Sequence, residues 1–381
     1  MYGLLGPRET AGGAAGPAVR TRPRAVVAVA LVVGSFGLVV ASVLLLLGGG
    51  LLRTPVEIPF RTTFQILVHE LTGGALFPNP CAGSGVTAAQ CATREFIVWQ
   101  LYVPEVLLAL LVGAALGISG SALQGIFRNP LADPYLLGIS SGGTLGAAIV
   151  YVYRVHPGNV DVVLPAFAFL GAAATGLAVL AVARGRSSSV ETLLLSGVAI
   201  AYLLSGVLSL VLLENPFGAE QVTFWLLGGF GLASWQVDAV AFGSVLALGA
   251  PMAMLGRELN LLQLGPDVAQ SAGVDARRVR LVVLLLASLV TAVAVAFTGV
   301  IGFVGLVSPH VVRRLLGTDY RLVVPGSAAF GGIFLVAAND AANLAFPSTV
   351  LPVGIFTAFA GVPFFLLLLL RQRRAEPMGA G

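Results

Sequence analysis

The chain contains no lysine, so all 21 of its basic residues are arginines. Charge of either sign is scarce, at 10% of residues, and there are two cysteines, three histidines and four methionines. Each scarcity removes a class of function. A phosphate-cradling P-loop needs the pattern G-x-x-x-x-G-K-[ST], which a chain without lysine cannot build. Any ATP that drives this molecule must be hydrolysed by another polypeptide. Cys81 and Cys91, with only His69 near them in sequence, fall short of the four ligands of a structural zinc site. His69, His156 and His310 are scattered, and no paired carboxylates recur at helical spacing inside the apolar runs. No catalytic constellation and no metal-ligand set emerges.

What remains is apolar. Hydrophobic residues make up 57% of the chain and mean hydropathy is +0.96, which excludes a water-soluble globule. Ten long apolar runs appear, at 25–48, 104–126, 136–153, 162–183, 192–213, 235–256, 279–298, 300–316, 322–345 and 349–370. A helix of about 20 residues crosses roughly 30 Å of hydrocarbon. A barrel would show short alternating strands instead. The expectation is an all-α integral membrane protein of about ten transmembrane helices. Pro309, His310 and Arg313 crowd the end of the eighth run.

Cytoplasmic loops collect basic residues. With ten spans and an inside N-terminus, 17 arginines fall inside and four, Arg53, Arg61, Arg94 and Arg154, outside. That split supports a multi-pass protein of the plasma membrane with both termini in the cytoplasm, and it assigns the +4 net charge to topology and not to nucleic acid. The first run is longer than the core of a signal peptide and no A-x-A-like site follows it, so it stays as the first span. Residues 1–23 and 372–381 read as disordered cytoplasmic tails, flanking a transmembrane domain at 24–371. The longest loop, 51–98, faces outward and holds Cys81 and Cys91, either as two thiols or, on an oxidising side, as a disulfide.

Two polar interruptions stand out. In "IFRNPLADPYLLGISSGGT", residues 126–144, Pro130 and Pro134 stop the second helix and "GISSGG" restarts another. Gly113, Gly117 and Gly120, with Ser119 and Ser121, place small residues along the helix before it, so neighbours can approach closely. Non-helical backbone at such a joint survives only where protein or a water-filled cavity surrounds it. The joint therefore either borders a path or is an ordinary turn with Asp133 and Ser140 as caps. In "LGPDVAQSAGVDARRVR", residues 264–280, Pro266 suits a first helical turn, Gly273 a left-handed stop and Asp275 the cap of the next helix. That pattern makes two short helices at an angle, or a solvated basic loop near lipid headgroups.

The stretch "VLLALLVGAALGISGSALQGIFRNPLADPYLLGISSGGTLGA" closely resembles the signature of the FecCD-type permeases, the membrane subunits of type II ABC importers for iron-siderophores, haem and cobalamin. The likeness continues through "LLLSGVAIAYLLSG", "FWLLGGFGLASW", the region from Leu261 to Ala328 and "LPVGIFTAFAGVPFFLLLLL", about residues 99–371. It implies the type II importer fold and a homodimer. It also implies two ATP-binding-cassette subunits beneath, one extracytoplasmic substrate-binding protein above, and surrounding lipid. ATP and magnesium would then sit on the partner subunit, with no cofactor on this chain.

By the same resemblance, 258–280 is the coupling element. Leu264, Gly265, Pro266, Asp267, Ala269, Ser271, Ala272, Gly273, Arg277 and Arg278 are its candidate contacts to the ATPase, the small residues permitting a tight fit. Asn129, Pro130 and Leu131 become cytoplasmic gate candidates, and "RGRSSSVET" at 184–192 a second gate region. The chain departs from the family outside. Tyr102, Glu105 and Asn343 stand where family arginines dock the binding protein, which implies docking to a basic or neutral surface. Asp340, beside Asn339 and Asn343, is expected to bond helix to helix, although an acid in a span also fits ion coupling. The reading is an ATP-driven importer permease for ferric siderophores, with haem or cobalamin as alternative cargoes and an ion-coupled secondary transporter as the rival class.

Overall fold

A computed structural model describes residues 34, 37, 41–42, 58–82, 85–155, 160–183, 190–345 and 351–375. Every regular element among the described residues is helical. In chain order these are α1 (Phe60–Leu71), α2 (Ala88–Phe96), α3 (Val103–Phe127), α4 (Ile139–Tyr153), α5 (Val160–Ala183), α6 (Val190–Glu214), α7 (Ala219–Leu226), α8 (Trp235–Ser244), α9 (Ala250–Met254), α10 (Gly256–Gln263), α11 (Pro266–Ser271), α12 (Ala276–Thr298), α13 (Val304–Leu316), α14 (Tyr320–Ala345) and α15 (Val353–Ala375). Among the described residues, six helical stretches are long and apolar enough to cross a membrane: α2–α3, α5, α6, α8–α9, α12 and α14. Shorter apolar helices occupy Ile139–Tyr153 and Val353–Leu367. The chain is a multi-pass membrane protein.

The outward segment expected to be a loop is not open chain. Residues 58–98 fold into α1 and α2, and α2 starts on a capping box in which Thr87 and Gln90 exchange side-chain and backbone hydrogen bonds. A π-helical turn at Ile97–Tyr102 carries α2 directly into α3, with Pro104, which has no N–H to donate, just beyond it. The central helix therefore begins well before residue 104.

Small residues decide what α3 touches. A Cβ placed on Gly113 meets the Gly331 carbonyl oxygen at 2.3 Å, one on Gly117 meets Ser327 O at 2.0 Å, and one on Gly120 meets Gly305 O at 2.0 Å. Backbone thus lies on backbone along the contacts of α3 with α14 and α13, the close packing that replaces hydrophobic drive within a bilayer. The hydroxyls of Ser119 and Thr291 meet at 2.8 Å and tie α3 to α12.

The eighth expected span is corrected. Only Val304–Leu316 is helical, 13 residues, about 20 Å of rise, which is too short to cross alone. Gly299 and Phe303 both take positive φ, 68° each, and break the chain between α12 and α13. The exposed backbone of that break is satisfied from elsewhere. Ile301 N–H donates to the Tyr135 hydroxyl at 3.2 Å, the hydroxyl donates to Ile301 O at 3.1 Å, and Gly229 N–H donates to Thr298 O at 2.8 Å. The third expected span is likewise short: a 3-10 turn at Pro134–Leu137 precedes the 15-residue α4. The sixth contains a π-helical turn at Val245–Gly249 and ends at Met254.

Of the first expected span, Gly34, Gly37, Ala41 and Ser42 are described as helical, and the rest lies outside the described residues. So do residues 1–23, 184–189 of the second gate region, and 376–381. The final helix runs to Ala375, into what was expected to be tail.

Candidate gate and coupling site

The polar joint sits beneath α3. Helix α3 stops because Arg128 turns left-handed, φ 52° and ψ 33°. Arg128 N–H then bonds Gly125 O and Asn129 N–H bonds Gln124 O, the paired closure usually built on glycine. A non-glycine residue there costs roughly 1–2 kcal/mol, so the arginine side chain is retained against backbone preference. Beyond it, the side-chain oxygen of Asn129 accepts from Leu131 N–H at 2.9 Å, and that of Asp133 from Tyr135 N–H at 2.9 Å. Two Asx-type turns in succession fix the joint. Pro130 and Leu131 are exposed and Asn129 is half-buried. Burial pushes the Asp133 carboxyl up to about 6, with the Tyr135 N–H opposing that rise.

Gln124, in the last turn of α3, is the hub. Its amide nitrogen reaches Ala132 O at 3.2 Å and Gly305 O at 3.4 Å, and its oxygen accepts from Arg313 Nη2. One buried side chain thereby joins α3, the joint and α13.

The segment expected to be the coupling element meets the same place. Gln263 Nε2, at the end of α10, donates to Gly125 O at 2.7 Å. Asn260 bonds Asp319 and Tyr320 N–H, at 2.6 and 2.9 Å. A cleft of about 390 Å³ lies between them, lined among others by Arg128, Asn129, Pro130, Gln263, Leu264 and Arg313. The end of α10 is thus joined to the backbone end of α3 by a direct hydrogen bond.

Within the element, Pro266 opens α11, Gly273 takes φ 80°, and Asp275 caps α12 by accepting from Arg277 and Arg278 N–H at 3.0 Å each. Leu264, Pro266, Asp267, Val268, Ser271, Ala272, Gly273, Arg277 and Arg278 are exposed, and Gly265 is half-buried. Ala269 is different. It is fully buried in the chain's own core, with Val274, so it anchors the element inward and leaves the other small residues to face out.

At the opposite end, Glu105 does not point away from the molecule. Its Oε1 accepts from Asn339 Nδ2 at 2.8 Å and Asn343 Nδ2 at 3.2 Å, which joins two of the three expected docking residues to one another across α3 and α14. Tyr102 packs half-buried against the core. Asp340 accepts from the Ser42 hydroxyl at 2.7 Å, the helix-to-helix role expected of it. Cys81 and Cys91 form a disulfide, Cα to Cα 5.9 Å.

A model of the FecCD transport family matches residues 38–371. The chain belongs to the FecCD transport family. Its curated relatives include the ABC transporter permease protein YvrB of Bacillus subtilis, 38% identical over 84% of this chain and 88% of that one. The cobalamin import system permease protein BtuC of Halobacterium salinarum is 40% identical over 75% and 76%. The hemin transport system permease protein HmuU of Yersinia pestis is 39% identical over 72% and 84%. Among solved structures, an inward-facing conformation of a metal-chelate type ABC transporter superposes with TM-score 0.73 at 26% identity, covering 90% of this chain and 99% of that one. This FecCD chain is therefore an ABC importer permease.

One set of residues escaped the sequence reading. Helix α6 is barely covered, with 6% of its most apolar window buried. Its exposed side carries Tyr202, Ser205 and Ser209, spaced i, i+3 and i+7 on one face. Hydroxyls repeated at that interval in an apolar run were the available signal.

Proposed function

We propose that this permease works as a homodimer, driven by two ATP-binding-cassette subunits at the end bearing α10 and α11 and loaded by a binding protein at the end bearing the disulfide. The cargo we assign is a ferric chelate of the siderophore class. Curated relatives named for cobalamin, hemin and Fe(3+)-citrate make a bulky metal-bearing ligand the common denominator. The observation that carries the reading is the hydrogen bond from Gln263 to Gly125 beside the arginine-lined cleft. A push on the exposed face of α11 reaches the strained end of α3 without passing through loose chain. The exposed Tyr202 and Ser205 of α6 support a polar path between two copies, since lipid offers those hydroxyls no partners, whereas Ser209 Oγ already donates to Ser205 O at 2.9 Å.

The test pairs this chain with the ATPase and the binding protein encoded beside it, in liposomes. Val268→Asp, on the exposed face of α11, is expected to abolish ATP-driven uptake while the permease still folds. Uptake by the permease alone on an ion gradient is the result that sinks the reading in favour of a secondary transporter. Titration of the binding protein with ferric siderophore, haem and cobalamin then decides the cargo.

A further inference from the structure

Away from the gate, at the disulfide-bearing end, three ligand-type side chains converge. His69 and Glu70 lie in the last turn of α1, and Glu95 near the end of α2. One ligand atom from each falls within 4.8 Å of the others, and His69 Nε2 stands 3.5 Å from Glu95 Oε1. All three are half-buried. We propose that they form a binding site for a divalent cation of the zinc type, with a fourth position left to water or another ligand.

The orientation of His69 is the first support. Its Nδ1 is engaged by the Phe77 carbonyl oxygen, which can only accept. Nδ1 therefore carries a proton, and Nε2 is left as the ring nitrogen that faces Glu95. Imidazole ligands in proteins are typically held this way, the far nitrogen donating to a carbonyl or carboxylate that fixes the tautomer. Here that partner lies outside the cluster, in the turn after α1.

The carboxylates are the second support. Glu70 and Glu95 each bring a carboxylate oxygen within 4.8 Å of the other and of a ring nitrogen of His69. A cation with two positive charges relieves the repulsion between those carboxylates outright, which a structural ion pair with one histidine does not.

The donor set selects the ion. One imidazole and two carboxylates at three corners suit zinc, which takes four ligands in tetrahedral arrangement and leaves one position open when the protein supplies three. Calcium prefers six to eight oxygens and gains little from the imidazole. The scaffold is braced for the purpose. α2 is held by its capping box, by the Cys81–Cys91 bridge and by continuity with α3. A bound ion would fasten α1 to the outer extension of the central helix.

The experiment uses the full chain in detergent, with its disulfide intact and an affinity tag free of histidine, titrated calorimetrically with zinc chloride and separately with calcium chloride. One zinc per chain is expected, with calcium weaker. His69→Gln and Glu95→Gln are each expected to weaken zinc binding by at least about tenfold. A readout on the unaltered chain covers the case of variants that do not fold. Saturating zinc should protect His69 from diethyl pyrocarbonate, followed by mass spectrometry of its peptide, while the same concentration of calcium should not. No stoichiometric zinc, binding that survives in the double variant, or unprotected His69 overturns the proposal.

Discussion

The most apolar 18-residue windows of Ala88–Phe127, which contains α3, and of Glu191–Glu214, which is most of α6, have the same mean hydropathy, 2.2, yet 78% of the window is buried within the chain in one and 6% in the other. Apolar content commits a segment to the bilayer but does not say what it meets there. Small residues do that. α3 brings Gly113, Gly117 and Gly120 against backbone, whereas a Cβ on Gly206 of α6 meets nothing within 4 Å. The inner helix is specified by what it omits, and the outer one by the few hydroxyls it adds.

The widest break in this comparison is a matched pair of substitutions. Gly117→Leu drives a side chain into the Ser327 carbonyl, 2.0 Å from the first carbon. Overpacking typically costs about 1–3 kcal/mol, and backbone cannot retreat as a side chain can, so a loss of at least about 3 kcal/mol and a collapse of folded yield are expected. Gly206→Leu should change thermal stability by no more than about 0.5 kcal/mol, as at an unhindered surface. Equal damage at both sites, in a detergent melting assay, removes the distinction.

Tyr135→Phe sharpens the same contrast from the side of the joint. The hydroxyl serves both the N–H and the carbonyl of Ile301, and its loss leaves two backbone groups unpartnered in a dry setting, at a cost of about 1–3 kcal/mol. For α6 the expectation reverses. Tyr202→Phe combined with Ser205→Ala and Ser209→Ala should leave melting within about 0.5 kcal/mol but slow ATP-driven uptake. Slowed melting with intact uptake would move these hydroxyls from path to structure.

How much of this could be read beforehand differs by residue. Pro266, Gly273 and Asp275 announced their turns because proline, glycine and an Asx cap act locally, within three or four residues. Gly113 and Gly117 were legible as contact positions but not as to partner, since Gly331 and Ser327 lie more than 200 positions away in sequence. The eighth span failed for a related reason. Residues 300–316 are apolar enough to cross, but Gly299 and Phe303 turn left-handed, and the groups that stabilise the break, Tyr135 and Gly229, come from distant segments. The bonds of Glu105 were not legible, because Asn343 was read both as a docking position and in a polar cluster with Asn339 and Asp340, and only the packing of α3 on α14 brings both asparagines to the glutamate. His69 seemed poor in partners for the same reason. Glu95 sits 26 positions further on, and only the packing of α1 against the π-helical turn that follows α2 brings it near.

At Asp133 the joint's geometry and its charge can be separated. Folding lifts this carboxyl from 3.8 to about 6, so the folded chain holds the proton more tightly than the unfolded one. Stability then falls as pH rises from about 4 to about 6, because the unfolded state binds fewer protons across that window. Asp133→Asn retains an oxygen to accept the Tyr135 N–H and has no proton to lose. The variant should melt as the parent does near pH 4 and somewhat higher near pH 7, with a flatter slope between. A variant as pH-dependent as the parent would show that Asp133 is ionised freely, and that the joint is wetter than the packing around it implies.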